Sequence, residues 1–232
     1  MRHIATSAVL ALTFIFAATP AQGSTIDVRV LSAKFTATVT VAWRFDPATT
    51  ETKTSTGPDP VSESLHRAYC EDLTGVFLCE SGFKALADAA AGFLDVSTSG
   101  SADQFTHAIA TADSEWTFSP LWDGTAVIDI LGESSLIESS QFASLFDLTA
   151  DEQVWQFSTS NAFGMYEVVP TVLNAQHVYA MHLTAFAAGR EDHAFSELHV
   201  SGIRAVPDTV DSFVCLCMGL LVAVLGKWKL RT

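Results

Sequence analysis

Basic residues, charge in general and cysteine are all scarce in this sequence. Its 232 residues include only 12 lysines and arginines against 26 aspartates and glutamates, which gives a net charge of −14. A chain this acidic repels a phosphate backbone, which argues against a nucleic-acid-binding protein. Charged residues make up only 16% of the chain and apolar residues 49%, and this composition excludes an intrinsically disordered protein.

The short motifs that usually identify a catalytic or cofactor site are also missing. The sequence has no glycine-rich phosphate loop, no HExxH, no GxSxG and no pair of CxxC motifs. We therefore expect a protein that is not an enzyme and that needs no cofactor, apart from a calcium ion that the oxygen-rich loop 147–152 would suit. The alternative is a glycan-active hydrolase that uses two carboxylates. The candidates for such a pair are Asp113, Glu115, Asp147, Asp151, Glu152, Glu191 and Asp192.

The N-terminus has the three parts of an export signal. A short positively charged start precedes an uncharged apolar stretch at 4–18, and small residues follow at 21–23. This order is typical of a signal peptide, which signal peptidase removes. We predict cleavage before Ser24, so residues 1–23 do not belong to the fold.

The C-terminus has the sequence pattern of a second sorting element. Residues 212–226 contain no charged residue and are followed at once by a basic cluster, Lys227, Lys229 and Arg231. Basic residues at one end of an apolar run orient that end toward the cytoplasm. The pattern predicts a transmembrane helix at about 212–226 that anchors the chain in the inner membrane.

Just before this run the chain reads Val206-Pro207-Asp208-Thr209. With the apolar run and the basic cluster, the tail 206–232 resembles the PEP-CTERM class of bacterial sorting signals, and most closely its VPDSG-CTERM variant. The resemblance implies recognition by exosortase, an integral-membrane enzyme, in a Gram-negative bacterium that makes exopolysaccharide. It implies an exported protein that is anchored by its tail and then sorted to the cell surface or the extracellular matrix.

The body between the two ends, 24–205, has the pattern of an all-β domain. Apolar residues alternate along 25–45, and their parity changes near Leu31–Ala33, which predicts a bulge or turn. Residues 46–64 are rich in proline, serine and threonine and are predicted to form a long exposed loop. Further strands are predicted near 104–111, 114–119, 125–131, 153–159, 177–187 and 193–203. Together they predict a two-sheet β-sandwich of jelly-roll type. For an exported and anchored body without a catalytic motif, we expect a structural, adhesive or carbohydrate-binding role.

Two segments fit either a helix or a strand. Residues 83–94 are rich in alanine, which favours a helix, but their apolar residues also share one strand parity. The strand-rich surroundings make a strand the preferred interpretation. Residues 139–148 are ambiguous in the same way.

Three groups of side chains are candidates for a site or a crosslink. If the strands near 177–187 and 193–203 form a hairpin, His182 faces His199 with Glu197 nearby, a weak candidate for a metal site. An exposed tryptophan would suit stacking on a sugar ring, and the candidates are Trp116, Trp122 and Trp155. Cys70 and Cys79 are the only cysteines between 24 and 205, and export to an oxidising compartment predicts a disulfide between them.

Overall fold

The computed structural model describes residues 25–43, 46–72, 77–103, 106–135, 138–161, 164–190 and 192–206. For residues 46, 69–72, 77–83, 205 and 206 it describes the backbone alone. The predicted signal peptide at 1–23 and the predicted membrane helix at 212–226 lie outside the described residues. None of the described segments is a helix long and apolar enough to cross a membrane.

Strands account for most of the described residues. In chain order they are β1 (Ile26–Trp43), β2 (Asp46–Ser55), β3 (Val61–Asp72), β4 (Phe77–Ala91), β5 (Asp95–Ala102), β6 (Thr106–Pro120), β7 (Gly124–Ser134), β8 (Ser139–Asp147), β9 (Glu152–Ser160), β10 (Met165–Leu173), β11 (Tyr179–Gly189), β12 (His193–Ser201) and β13 (Ile203–Val206). The prediction of an all-β body is confirmed.

These strands form two sheets. Sheet A has the order β13-β1-β6-β11-β8-β9, and β2 pairs with the second half of β1. Sheet B has the order β10-β7-β12-β5-β4-β3. All pairs are antiparallel except β13, which runs parallel to the start of β1. Alternate residues of both sheets point into one shared apolar core, so the predicted β-sandwich is also confirmed.

The parity change in the first strand is a β-bulge. The pairing of β1 with β6 shifts by one residue between Val30 and Ser32. Ile26 and Val28 are buried before the shift, and Phe35 begins the buried series after it. The extra residue lets one long strand keep apolar side chains on the core side along its whole length.

Both ambiguous segments are strands. β4 covers most of 83–94, and β8 covers most of 139–148. The alternate alanines Ala85, Ala87, Ala89 and Ala91 are buried. Packing of these small side chains against sheet A outweighs the helix propensity of alanine.

The predicted loop at 46–64 is largely wrong. Residues 46–55 form β2, and the loop before β3 is confined to 56–60. Threonines opposite one another join β2 to β1: the hydroxyls of Thr40 and Thr50 lie 2.9 Å apart. Threonine is both a loop-compatible and a strand-favouring residue, and cross-strand pairing decides between the two. The sequence analysis also missed β3, β5 and β10.

The predicted hairpin of β11 with β12 is wrong as well. β11 lies between β6 and β8 in sheet A, whereas β12 lies between β5 and β7 in sheet B. The connection between them therefore crosses from one sheet to the other. Each strand finds two partners inside a sheet, which satisfies more backbone groups than an isolated hairpin would.

Cys70 and Cys79 lie on adjacent antiparallel strands, β3 and β4. Their chain neighbours Glu71 and Leu78 are directly paired. The side chains of both cysteines lie outside the described part of the chain, so the disulfide stays a prediction.

The two sheets touch backbone to backbone at one end of the sandwich. A Cβ atom placed on Gly100 of β5 would lie 2.5 Å from the carbonyl oxygen of Ala108 in β6. A Cβ atom on Gly189 of β11 would lie 2.5 Å from the carbonyl oxygen of Gly100. Only glycine fits at these two positions, because the colliding atoms are backbone and cannot rotate away.

We therefore expect Gly100→Ala to destabilise the fold. Forcing a methyl group into this contact should cost about 1–3 kcal/mol, seen as a lower midpoint in thermal unfolding followed by circular dichroism. Gly57→Ala is the matched control, because no atom lies within 4 Å of its added Cβ. Equal midpoints for the two variants would show that the sheets are not in direct contact at Gly100.

Candidate functional site

A groove of about 510 Å³ crosses the outer face of sheet B. It is open to solvent and runs over β3, β4, β5 and β12. Hydroxyl and carboxylate groups dominate the side chains that point outward there. They belong to Ser62, Ser64, Asp88, Ser97, Ser99 and Glu197.

Strand register brings these residues together from distant parts of the sequence. Asp88 of β4 is opposite Ser99 of β5, which is opposite Phe195 of β12. In the next row of outward side chains, two residues along each strand, Ser97 is opposite Glu197. The Ser99 hydroxyl donates a hydrogen bond of 3.3 Å to the Asp88 carboxylate. The groove is therefore a row of polar groups held on a rigid sheet.

An aromatic surface adjoins these polar groups. Phe195 is partly exposed on the outer face beside Ser99, and its ring stacks on the imidazole of His193 at 6.2 Å and 27°. An apolar ring next to a few placed polar groups is a usual composition of a site for a small organic ligand. Here the ring would meet the C–H face of such a ligand, and the serines and carboxylates would meet its hydroxyls.

The groove is acidic. Asp88 and Glu197 supply carboxylates, and none of the described lining residues is basic. Carboxylates accept hydrogen bonds and repel anions. The groove is therefore suited to a neutral or cationic ligand that carries hydroxyl or amino donors.

A second polar cluster lies at one end of the sandwich, where the turn after β8 meets the turn before β11. Asp147 is buried, and its Oδ2 lies 2.6 Å from Nδ1 of His177. Its Oδ1 accepts the backbone N–H groups of Thr149 and Ala150 at 2.9 and 3.0 Å. The Thr149 hydroxyl accepts the N–H of Val178. This cluster ties the two turns together.

The pKa of Asp147 reflects that cluster. Burial by itself would raise it, but the hydrogen bonds from His177, Ala150 and Thr149 outweigh burial and hold the pKa below its ordinary value of 3.8. The neighbouring Tyr179 is buried, which raises the pKa of its phenol, and its oxygen accepts the N–H of Asn174.

The expectation of calcium at loop 147–152 has no support in this geometry. Donors of the protein already occupy both oxygens of Asp147, so this carboxylate turns toward the chain and not toward a cation. Among the described residues, no group of three or more histidines, cysteines or carboxylates is arranged to hold a metal ion.

The histidine pair predicted as a weak metal site is not brought together. His182 lies on the outer face of sheet A, opposite Glu115 and Ser144. His199 lies on the outer face of sheet B, where Nδ1 is hydrogen-bonded to Asp95. The prediction was wrong because it rested on the hairpin of β11 with β12. Glu197 belongs to the groove instead.

The three tryptophan candidates differ in how far their side chains are exposed. Trp116 and Trp155 are core residues, so neither is a surface platform. Trp122 is 47% exposed in the turn between β6 and β7. It remains a candidate for contact with a ligand, at the edge of the sandwich and not in the groove.

The carboxylates proposed for a hydrolase lie outside the groove. Asp113 and Glu115 are neighbours on the outer face of sheet A, where Asp113 accepts the hydroxyl hydrogen of Thr184. Asp147 is held by His177, and Asp192 accepts the N–H of Arg190. Glu191 lies outside the described residues.

Sequence analysis missed Asp88, Ser99 and Phe195 as site residues. The one local signal is in the segment 95–102, where Ser97, Ser99 and Ser101 alternate with small residues. Such alternation is typical of a strand with a hydroxyl-bearing face. Comparison with protein-family models and with curated proteins finds no match for this chain.

The Asp147 cluster predicts an acid-sensitive contribution to stability. Because the pKa of Asp147 is lowered in the folded state, its ionised form stabilises the fold above pH 3.8, and this contribution is lost as the pH falls through the folded-state pKa. Asp147→Asn should cost about 1–3 kcal/mol at neutral pH and should lose less stability than the wild type on acidification. Urea unfolding between pH 3 and 7 measures both effects.

Asp113→Asn is the control for the Asp147 variant, since it removes the same charge from the outer face of sheet A. It should retain the acid dependence of the wild type. If the two variants had the same stability profile against pH, the Asp147 cluster would not be the source of that dependence.

Proposed function

We propose that this chain is a non-enzymatic envelope protein that binds carbohydrate through the groove of sheet B. In this proposal signal peptidase removes residues 1–23 as the chain crosses the inner membrane of a Gram-negative bacterium. The tail 206–232 then anchors it and presents it to exosortase for sorting to the cell surface or the extracellular matrix. The partners are those two enzymes, the inner membrane and a polysaccharide.

The strand order supports a sandwich of jelly-roll type. Strands β5 to β12 fall into two four-stranded sets, β10-β7-β12-β5 and β6-β11-β8-β9. This order results when a chain of eight strands is folded as a long hairpin and wrapped into two sheets. Strands β1 to β4 and β13 extend the two sheets at the β5 and β6 side.

The observation that carries carbohydrate binding is the juxtaposition of Phe195 with Asp88, Ser99 and Glu197. A sugar ring offers an apolar C–H face and several hydroxyl donors. The Phe195 ring suits the face, and the carboxylates and serines suit the hydroxyls. The acidic charge of the groove favours a neutral or amino-sugar glycan over one built from uronic acids.

The alternative is a glycan-active hydrolase that uses the two groove carboxylates. One strand, β5, separates Asp88 from Glu197, and they lie in adjacent rows of side chains. Strand spacing and rise place their α-carbons roughly 12 Å apart, and side chains that lean toward each other would bring their carboxyl groups to the separation of about 5–9.5 Å used by glycoside hydrolases. Binding stays the first proposal because the sequence contains no familiar catalytic motif, and a search for released glycans decides between the two.

The tail supports export and anchoring. β13 includes Val206, so the motif Val206-Pro207-Asp208-Thr209 begins at the last described residue of the fold. The apolar run 212–226 and the basic cluster Lys227, Lys229 and Arg231 follow. In the proposed arrangement the motif is held just outside the bilayer, within reach of a membrane enzyme.

The groove is tested with immobilised oligosaccharides, including neutral, amino-sugar and uronic-acid glycans, with and without calcium. The full chain in mild detergent should bind neutral or amino-sugar glycans. Glu197→Gln should weaken that binding at least tenfold, since the lost hydrogen bond to a charged acceptor is worth about 1.5–3 kcal/mol.

Glu115→Gln is the matched control, an exposed glutamate on the outer face of sheet A. It should bind like the wild type. Equal losses in both variants, or no binding by the wild type, would contradict the groove proposal. Release of shorter glycans by the wild type would favour the hydrolase instead.

The sorting tail is tested with two changes in the expressing bacterium. Deleting 207–232 leaves β13 intact and should give a folded, exported body that no longer fractionates with the envelope. Replacing Pro207 and Asp208 with alanine should keep membrane association, because the apolar run is unchanged, but should block maturation. Cell fractionation and the mass of the mature chain measure both outcomes. If the alanine variant were processed like the wild type, the motif would not be the recognition element.

A further inference from the structure

Three exposed apolar side chains lie around the place where the described chain ends. Val206, the last described residue of β13, is opposite Arg29 of β1. Leu31, at the bulge of β1, follows Arg29 by two residues and is 51% exposed. In the turn after β6, Leu121 is 37% exposed and Trp122 47%. We call the surface formed by Leu31, Leu121 and Trp122 the tail-side corner.

Asp27 of β1 holds the tail-side corner together. Its carbonyl oxygen accepts the N–H of Leu121 at 3.0 Å. On the other side of β1, Nε of Arg204 in β13 donates to the Asp27 carboxylate at 2.6 Å. Leu121, Asp27 and Arg204 thus lie side by side in one row. Val28 and Ile203 follow and precede members of this row and are buried, so the row points outward from sheet A.

The length of chain between this corner and the apolar run limits how far apart the two can be. Strand spacing and rise place the α-carbon of Val206 about 8 Å from that of Leu31 and roughly 12 Å from that of Leu121. Only the five residues 207–211 separate Val206 from the apolar run 212–226. A fully extended chain of this length spans at most about 20 Å. If the apolar run enters a bilayer, the tail-side corner therefore lies close to the bilayer surface.

The charges at this corner suit a lipid surface better than the charges of the chain as a whole. Arg29 and Arg204 are two of only 12 basic residues, against 26 acidic ones. The acidic groups beside them are Asp27, which is paired with Arg204, and Asp123, whose carboxylate accepts a backbone N–H of a neighbouring turn. The corner is thus close to neutral, whereas an acidic surface is repelled by anionic headgroups. Arginine and tryptophan beside apolar side chains are typical of the headgroup level of a membrane.

We propose that the tail-side corner lies against the membrane surface when the tail is anchored, an inference that rests on the proposed anchoring of the chain by 212–226. Leu31, Leu121 and Trp122 then enter the interfacial layer, which favours the indole ring of a tryptophan. The two arginines reach the lipid headgroups. Because the corner belongs to the outward side of sheet A, the groove of sheet B faces away from the bilayer and stays open to a polysaccharide.

The test places the full chain in vesicles of phosphatidylethanolamine and phosphatidylglycerol whose acyl chains carry a fluorescence quencher near the headgroup. Flotation of the vesicles first measures whether the tail holds the chain in the bilayer. Trp122→Phe should be quenched less than the wild type, because the other four tryptophans are unchanged. In that background Leu121→Trp should restore the lost quenching. Leu31→Trp is a second reporter of the same corner if the Leu121 variant fails to fold.

Leu86→Trp in the same Trp122→Phe background is the matched control. Leu86 is 37% exposed, as Leu121 is, but it lies on β4 in the outer face of sheet B. The lipid quencher should not reach an indole at this position. Acrylamide in the surrounding water should give the opposite order, with stronger quenching of the indole at position 86 than of the indole at position 121.

The outcomes separate the membrane contact from the anchor. If the chain floats with the vesicles but the lipid quencher affects the Leu121→Trp and Leu86→Trp variants equally, the contact is overturned and the anchor stands. Stronger lipid quenching of the Leu86→Trp variant would also overturn the contact, because sheet B would then face the bilayer. A chain that does not float would contradict the proposed anchoring, and the membrane contact with it.

Discussion

The direct contact between the two sheets at Gly100 and Gly189 governs the rest of the sandwich. Where the backbones touch, the core accepts only small side chains, and it admits larger ones with distance from that contact. The gradient follows the register: Ala108 of β6 is opposite Gly189, whereas ten residues further along Phe118 is opposite Tyr179. At the wide end, the rings of Trp116, Phe118 and Tyr179 form a contiguous set at centroid distances of 4.7 and 5.6 Å. The volume of the core side chains along β6 and β11 thus increases with distance from the sheet contact.

The same close end fixes the candidate groove. Buried Gln141 of β8 donates its amide hydrogens to the carbonyl oxygens of Glu133 and Glu197, which lie on neighbouring strands of sheet B. Its Oε1 lies 2.2 Å from the place a Cβ of Gly132 would take, so a glycine there makes room for the amide. Glu197 therefore has its carbonyl held in the core and its carboxylate in the groove. A polar contact between the sheets thus positions Glu197, the residue proposed to bind carbohydrate, on the outer surface.

The fold could be predicted from the sequence wherever apolar and polar residues alternate clearly along a strand. The candidate groove could not be predicted in this way. β1, with its bulge, follows from large apolar residues at every second position. β5 was missed because its core face carries Val96, Thr98, Gly100 and Ala102, whose small size belongs to the sheet contact and leaves little hydrophobic signal. The crossing from β11 to β12 depends on long-range pairing that no local pattern contains. Asp88 and Phe195 are more than a hundred residues apart, and only register brings them to the same row of side chains on the outer face of sheet B.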